Sequence, residues 1–449
     1  MSYTIHAGNN LDILPTLPDN SVDSIVTDPP YELGFMGKKW DNSGIAYSVE
    51  LWTECLRVLK PGGHLLSFGG TRTWHRVAVA IEDAGFELRD SIAWMYGSGF
   101  PKSLNVAKSI EAKLTTGSAA KNGFHSLDGE RTGDGKIGMY ATVAEQGFRK
   151  HNPEQLGSFD LEASTPEAQK WQGWGTALKP AFEPIVVARK PLIGTVAANV
   201  LEHGTGALNI DGSRIGTEEN LARAQYESKG WKNTSGMTGS TNDDWKKGRW
   251  PANVILDEYS AGELDEQSGV SQSPAPYTQQ SKSIGIYGAE KQHDRPSTHH
   301  GDTGGASRFF YCAKASKRDR NEGLEGLEAV SASKGHGREP ESAGAKNPRA
   351  GIGGGSATAT GNASRQNFHP TVKPTNLMRY LVKLVTPPGG TVLDPFTGSG
   401  STGKAAILEG FDFIGIEITE EYLPIIEGRL AYAEQMRLNE QQKKDEGLF

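Results

Sequence analysis

Two short segments, one near each end of the chain, constrain the fold most strongly. They are Asp28-Pro29-Pro30-Tyr31 and Asp394-Pro395-Phe396-Thr397-Gly398-Ser399-Gly400. Each follows an apolar run, Val22–Thr27 in the first case and Gly390–Leu393 in the second, and such runs predict buried parallel strands. Because open α/β sheets bind their ligands at the carboxyl ends of strands, we expect both segments to line a site there. The glycines of the second segment then open a helix near Ser401, so this segment predicts a cofactor loop.

The two segments, in this order, resemble the β-class DNA amino-methyltransferases, which transfer a methyl group from S-adenosylmethionine to an exocyclic base nitrogen. That family carries Asp-Pro-Pro-Tyr and Asp-Pro-Phe-x-Gly-x-Gly, and both stand intact here. The likeness extends to His369–Pro374, Phe413–Glu417 and Leu59–Gly63. The resemblance implies a doubly wound α/β fold: a Rossmann-like methyltransferase sheet in permuted order, with an inserted target-recognition region.

The alternation of β and α patterns from Tyr3 to Trp94 also predicts a parallel, doubly wound sheet. Residues 1–192 are predicted to form the catalytic half with a flap near 97–178, residues 193–365 the recognition insert with a flexible tail near 330–365, and residues 366–449 the cofactor-binding half. By the resemblance, Glu183–Arg189 is the last sheet strand and pairs with Leu88–Trp94. Asn376–Val385 is predicted to be an amphipathic helix.

Catalysis is assigned to Asp28, Pro29, Pro30 and Tyr31. An exocyclic amine is a poor nucleophile because its lone pair is delocalised into the ring. The Asp28 carboxylate can accept one N–H and the Pro29 carbonyl the other, which draws the nitrogen toward tetrahedral geometry. Tyr31 supplies a ring on which a flipped base can stack. The reaction then needs neither a metal nor a covalent intermediate.

The cofactor is predicted to be S-adenosylmethionine. Gly398 and Gly400 let the backbone pass close to it, and Glu417, at the end of the next strand, can bind both ribose hydroxyls. The chain departs from the family at Gly8-Asn9, where relatives usually have Gly-Asp, and the resemblance implies that Asn9 contacts the adenine ring through its amide. Together with the resemblance, the predicted cofactor residues are Asn9, Asp28, Lys373, Asp394, Pro395, Phe396, Thr397, Gly398, Ser399, Gly400 and Glu417.

Charge distribution indicates where DNA would bind. The net charge is −7, yet residues 101–370 hold 32 Lys and Arg against 31 Asp and Glu, so the acidity belongs to the two ends. Two clusters, Lys229–Trp250 and Arg308–Arg320, mix cations with aromatic rings, as nucleic-acid surfaces do. The residues predicted to contact DNA are Lys314, Lys317, Arg318 and Arg320.

Composition excludes several classes of protein. Cys55 and Cys312 have no partner pattern for a disulfide framework or a zinc site, and no metal is expected. No run approaches the length of a membrane helix, and the first residues lack a signal peptide, so a cytoplasmic protein of a bacterial or phage-infected cell is expected. The resemblance implies double-stranded DNA as the partner and leaves open a homodimer and a cognate restriction endonuclease.

The target amine has more than one candidate. Asp before Pro-Pro favours adenine N6 as a family tendency, and cytosine N4 is the nearest alternative. RNA or protein amine methylation fits less well, because enzymes of that kind usually place the cofactor loop before the tetrapeptide. A catalytically dead DNA-binding module is disfavoured by the intact Asp28, Tyr31, Gly398 and Glu417.

Overall fold

The computed structural model describes residues 2–33, 39–99, 103–116, 163–216, 248–272, 278–284, 290–296, 303–314, 318–331 and 364–446. The expected DNA contact Lys317, most of the cluster Lys229–Trp250 and most of the expected flexible tail lie outside these residues.

The strands and helices agree closely with the sequence-based boundaries in both end regions. The first lobe contains β1 (Tyr3–Ala7), α1 (Asn10–Ile13), β2 (Val22–Thr27), α2 (Val49–Val58), β3 (Leu59–Phe68), α3 (Trp74–Asp83), β4 (Glu87–Met95), α4 (Val106–Thr116), α5 (Pro166–Gln169), β5 (Phe182–Arg189) and α6 (Val196–His203). The middle contains β6 (Val254–Asp257), α7 (Glu258–Ser268), β7 (Ser271–Gln272), β8 (Thr278–Ile284), β9 (Glu290–Pro296), β10 (Thr303–Gly304), β11 (Tyr311–Ala313), β12 (Val330–Ser331) and β13 (Ser364–Arg365). The last part contains α8 (Thr375–Val385), β14 (Thr391–Asp394), α9 (Ser401–Glu409), β15 (Asp412–Glu417) and α10 (Leu423–Asp445).

One nine-stranded sheet organises the fold, in the order β1-β15-β14-β2-β3-β5-β4-β6-β11. Neighbouring strands are parallel except that β5 runs antiparallel to both β3 and β4. The predicted α/β class is therefore confirmed. The order is permuted along the chain, because β14 and β15 from the last part stand between β1 and β2 from the first.

The predicted pairing of β5 with β4 is correct, but the sheet does not end there. β6 pairs in parallel with β4, and β11 pairs in parallel with β6, so the middle of the chain adds two strands to the edge of the sheet. These strands are four and three residues long, which is too short for a periodic pattern to reveal them in the sequence.

Helices cover both faces of the sheet, as a doubly wound fold requires. Adjacent residues of a strand point to opposite faces, and β2 shows this clearly. Ile25 packs in a core with α2 and α3, whereas Val26 packs in a second core with α8, α9 and α10. Both residues are fully buried. The centre of β2 is therefore apolar on both sides, whereas Asp23 and Ser24 at its start are buried polar residues.

The chain divides into two compact units, Gly97–Ala181 and the remainder. Within the smaller unit α4 packs on α5, and the Glu111 carboxylate accepts hydrogen bonds from the backbone N–H groups of Ser164 and Thr165, at 3.2 and 3.0 Å. In the expected tail, β12 pairs antiparallel with β13. Among the described residues, no helix is long and apolar enough to cross a membrane.

Candidate functional site

The two sequence segments meet at the carboxyl edge of the sheet. β2 and β14 are neighbours, with Ile25 paired to Leu393, so Asp28 and Asp394 emerge from adjacent strands. Thr27 joins the two segments directly, because its hydroxyl donates a 2.6 Å hydrogen bond to Oδ1 of Asp394. A separation of 367 residues in sequence thus closes to a single hydrogen bond.

Asp394 is a buried carboxyl group that shapes the turn after β14. Its Oδ1 also accepts the backbone N–H of Phe396 at 3.1 Å. Burial raises the pKa of Asp394 to about 6, although the hydrogen bond from Thr27 opposes this shift. The group therefore gains its hydrogen bonds at an electrostatic cost.

The glycine turn that follows needs two residues in the left-handed region. Gly398 has φ of +56° and Gly400 has φ of +74°, which non-glycine residues rarely adopt. A Cβ on Gly398 would lie 3.1 Å from Nε2 of His369, and a Cβ on Gly400 would lie 3.3 Å from Cα of Ile426. Gly400 is also the N-cap of α9, so the turn delivers the chain directly into that helix.

Glu417, at the end of β15, faces this turn. Its carboxylate accepts the backbone N–H of Gly398 at 2.7 Å and that of Thr419 at 2.8 Å. The side chain is 7% exposed, and burial raises its pKa. A buried carboxylate beside a glycine turn is suited to hold hydroxyl groups of a nucleoside, because each oxygen retains acceptor capacity.

Asn9 is exposed and caps α1, since its side-chain oxygen accepts the N–H of Leu11 at 3.2 Å. Its neighbour Asn10 is buried, and the amide of Asn10 donates to the carbonyl of Pro395 at 3.3 Å. Asn10, which sequence reasoning missed, is therefore the residue of this pair that contacts the cofactor loop directly.

Lys373 lies beside Asp28. Its Nζ is 2.9 Å from Oδ2 of Asp28, 3.1 Å from Oε2 of Glu183 and 3.1 Å from the hydroxyl of Tyr31. That hydroxyl in turn donates to Oε2 of Glu183 at 2.8 Å. Burial alone would lower the pKa of Lys373, but the two carboxylates raise it above its ordinary value, so the side chain is an ammonium.

Three aromatic rings surround this ammonium. Nζ of Lys373 is 4.7 Å from the ring centroid of Phe68, 5.2 Å from that of Tyr31 and 6.0 Å from that of Trp94. Phe68 and Trp94 stand at the ends of β3 and β4, at the same sheet edge as Asp28. Such rings favour a cation and form an apolar wall against which a planar group can stack.

Asp28 keeps one buried oxygen open within this cluster. Its Oδ2 is bound to Lys373, whereas its Oδ1 accepts no hydrogen bond from the described residues. Burial raises the pKa of Asp28, Lys373 lowers it and Glu183 raises it again. A buried acceptor without a donor is costly, so a ligand that supplies an N–H or O–H here would be stabilised.

Buried cationic residues of α9 and α10 contact the glycine turn and the segment 319–322. Arg429 of α10 is fully buried, and its Nη1 donates to the carbonyl of Ser399 at 2.6 Å and to the hydroxyl of Ser401 at 3.1 Å. Its Nη2 donates to the carbonyl of Asp319 at 3.2 Å. Lys404 of α9 is also buried and pairs with Glu322 at 2.8 Å. Residues 319–322 of the middle region therefore attach to the turn and helix of the last part.

The predicted DNA contacts occupy different environments. Lys314 and Arg318 are exposed, and Lys317 lies outside the described residues. Arg320 is half-buried, and its guanidinium donates to the carbonyls of Asn367 and His369 at 3.4 and 2.8 Å. Arg320 thus binds the backbone just before Lys373.

Sequence reasoning did not assign a role to several residues of this site. Glu183 had a readable signal, a carboxylate at the head of an apolar strand. Arg429 had none, because it sits in a helix rich in charged residues. Among the described residues, no group of three His, Cys, Asp or Glu side chains is arranged to hold a metal ion.

Comparison with known proteins agrees with this geometry. A family model described as DNA methylase, for N6 and N4 methyltransferases, matches residues 22–428. The chain is similar to the DNA adenine methyltransferase YhdJ of Escherichia coli K12, at 51% identity over 55 residues, which is 12% of this chain and 19% of that protein. It is also similar to the type II methyltransferase M.HindIII of Haemophilus influenzae, at 26% identity over 166 residues, which is 36% of this chain and 38% of that protein.

Among solved structures, the PvuII DNA methyltransferase, cytosine-N4-specific, is matched with a TM-score of 0.42 and 13% identity over 98% of this chain and 93% of that one. The two curated relatives are matched over less than two fifths of their own length.

Proposed function

The chain belongs to the DNA methylase family of N6 and N4 methyltransferases, and from this premise we propose that it methylates the N6 amine of adenine in double-stranded DNA. The observation that carries the proposal is the buried Oδ1 of Asp28 at the carboxyl edge of the sheet, which accepts no hydrogen bond from the part of the chain that the structure describes. An amine has the N–H donors that this oxygen lacks. The relative YhdJ is named as an adenine methyltransferase, which supports adenine as the base.

The residues of the turn after β14 fit S-adenosylmethionine. The left-handed Gly398 and Gly400 bring the backbone close to a bound ligand without side chains, and the Glu417 carboxylate stands beside them to accept ribose hydroxyls. Asn10 and Asp394 brace the same turn. When bound, the cofactor supplies a methyl group on a sulfonium, which is already activated for transfer.

Asp28 prepares the nucleophile. Its Oδ1 accepts one N–H of the amine, and the lone pair of the nitrogen is thereby localised toward the methyl carbon. The cofactor would supply the methyl carbon for a new bond to this nitrogen, with its sulfur as the leaving group, and the amine would release one proton to solvent. Tyr31 stacks on the base, which must leave the duplex to reach this edge. Lys373 favours the ionised form of Asp28, because a nearby ammonium opposes the effect of burial on the pKa of that carboxyl.

Digestion of methylated DNA to nucleosides, followed by mass spectrometry, tests this proposal. We expect N6-methyladenine from the wild type, and N4-methylcytosine instead would transfer the assignment to the alternative base. Asp28→Ala should remove methyl transfer while S-adenosylmethionine still binds. Asp19→Ala is the matched control, because Asp19 is an exposed carboxylate just before the amino end of β2, the strand that Asp28 follows. More than a few per cent of the wild-type rate in Asp28→Ala would contradict the role of this residue.

DNA binding is proposed for the cationic residues Lys314, Lys317 and Arg318. Arg320 is left out because its guanidinium binds backbone carbonyls, and its loss would disturb the fold. Replacing the three residues by Ala should weaken DNA binding and make the slope of log K against log salt shallower, by up to about 0.9 for each phosphate that is no longer neutralised. A double Lys→Ala variant at the exposed positions 443 and 444 of α10 is the control. An unchanged slope in the triple variant would show that the DNA path lies elsewhere.

A further inference from the structure

We propose that Glu183 is a positioning residue for methyl transfer, which acts through Lys373 and Tyr31 to keep one oxygen of Asp28 open for the target amine. This inference rests on the proposed function of the same site. Glu183 neither follows either sequence segment nor belongs to the predicted site, and it enters the cluster only through the pairing of β5 with β4.

The hydrogen bonds of Lys373 are the first step. An ammonium has three N–H donors, and Nζ has three acceptors within 3.1 Å: Oδ2 of Asp28, Oε2 of Glu183 and the hydroxyl of Tyr31. Each hydrogen therefore has its own acceptor. Because all three hydrogens of the ammonium already have acceptors, the ammonium binds only one of the two oxygens of Asp28.

Removing the Glu183 carboxylate would free one of these hydrogens. The side chain of Lys373 is 9% exposed, so water has little access to satisfy the hydrogen. The adjacent buried acceptor with unused capacity is Oδ1 of Asp28, the oxygen that the amine requires. Glu183 thus competes with Asp28 for Lys373, and this competition keeps Oδ1 available. Glu183 also accepts from the hydroxyl of Tyr31, which fixes the ring on which a base would stack.

Charge gives the proposal a signature that a purely structural role would not produce. Burial has the largest effect on the pKa of Asp28 and raises it. Lys373 lowers this pKa, and Glu183 raises it further. Loss of Glu183 should therefore move the acidic limb of the rate profile to lower pH, and loss of Lys373 should move it to higher pH. The ionisable groups that face Asp28 or its partners are Lys373 before α8, Glu183 on β5, Tyr31 in the tetrapeptide, Tyr96 after β4 and Asp394 on β14.

The test compares Glu183→Leu, which has no acceptor oxygen, with Lys373→Met and the wild type in full-length protein. Single-turnover methyl transfer is measured against pH, and S-adenosylmethionine affinity is measured by calorimetry. Loss of one hydrogen bond to a charged group corresponds to about 10–150-fold in rate, so we expect Glu183→Leu to lose rate within this range with nearly unchanged cofactor affinity. The acidic limbs of the two variants should shift in opposite directions.

Glu409→Leu is the matched control. Glu409 is a similarly buried carboxylate with two cationic partners, Arg379 at 2.6 Å and Lys383 at 3.0 Å, and it lies at the far end of α9 from the glycine turn. This variant should keep the wild-type rate and limb.

A wild-type rate and an unmoved limb in Glu183→Leu would overturn the proposal, as would limbs that move in the same direction in both variants. Thermal unfolding is measured for each variant. Should Glu183→Leu not fold, Glu183→Asp takes its place, since it keeps the charge and withdraws the carboxylate by one methylene; an unchanged rate there would overturn the proposal equally. A wild type that methylates no DNA refutes the proposed function instead, so the two failures are distinguishable.

Discussion

Glu417 offers the sharpest test of the proposed cofactor site, because its carboxylate has a structural role and a proposed binding role. It already accepts two backbone N–H groups, from Gly398 at 2.7 Å and from Thr419 at 2.8 Å. Replacement by Ala removes both bonds. A hydrogen bond to a charged group contributes about 1.5–3 kcal/mol, and water that enters the space will recover part of it. We therefore expect the free energy of unfolding to fall by about 3 kcal/mol, the lower end for two bonds.

Cofactor affinity should fall separately. If the carboxylate also binds ribose hydroxyls, the loss of one charge-assisted hydrogen bond weakens S-adenosylmethionine binding by about 1.5–3 kcal/mol, or about 10–150-fold in Kd. Calorimetric titration at a temperature where every variant is folded measures this loss, and thermal unfolding without cofactor measures the structural one. Glu421→Ala, an exposed carboxylate four residues further along, controls for net charge.

The combination of the two measurements decides the interpretation. A lower melting temperature with an unchanged Kd would mean that Glu417 only braces the glycine turn and that the ribose is bound elsewhere. A weaker Kd with an unchanged melting temperature would mean that the two backbone bonds contribute little. Only a loss in both supports the dual role.

Two further predictions concern the same turn. Burial raises the pKa of Asp394 from 3.8 to about 6. Between these two pH values the folded state keeps a proton that the unfolded state releases. The contribution of Asp394 to the free energy of unfolding should therefore fall by about 3 kcal/mol as the pH rises from 3.8 to 6. The variant Asp394→Asn should not show this fall. Urea unfolding at pH 4 and pH 7 measures it, and an equal change in the free energy of unfolding in the wild type and the variant would contradict the prediction. Gly400→Ala places a side chain at φ +74° and against α10, whereas Gly44→Ala places one at φ +76° in open space. Both variants should lose about 1–2 kcal/mol of stability because of the left-handed backbone. Only Gly400→Ala should also weaken cofactor binding, which the same calorimetry measures. Equal Kd values in the two variants would refute the steric argument.

The sequence predicted those parts of the fold that depend on local pattern. The strand ending at Thr27 and the helix Asn376–Val385, observed as Thr375–Val385, follow from apolar runs and periodicity. β6 and β11 did not, because strands of four and three residues carry no periodic signal. Their place in the sheet is decided by the exposed edge of β4, which is a tertiary property.

The candidate site divides in the same way. The glycine turn is local, since φ values above zero demand glycine, and its residues were all predicted. The Asp28–Lys373–Glu183 cluster is not local, because its members come from three distant positions that only the tertiary structure brings together. Lys373 illustrates the limit: its motif drew attention to the residue, but its partners follow from the tertiary structure alone.

The permuted strand order has a consequence for how the protein is made. In the described part of the chain β1 pairs with β15 alone, and the two are held together from Ser2 to Glu417. A ribosome that adds about 5–20 residues each second needs about 20–80 s to reach β15 after it has made β1. During that interval β1 has no β15 to pair with, and β2 lacks β14 on one side. The nascent chain therefore exposes two unpaired strand edges until β14 and β15 emerge, and chaperone engagement during translation should persist to that point.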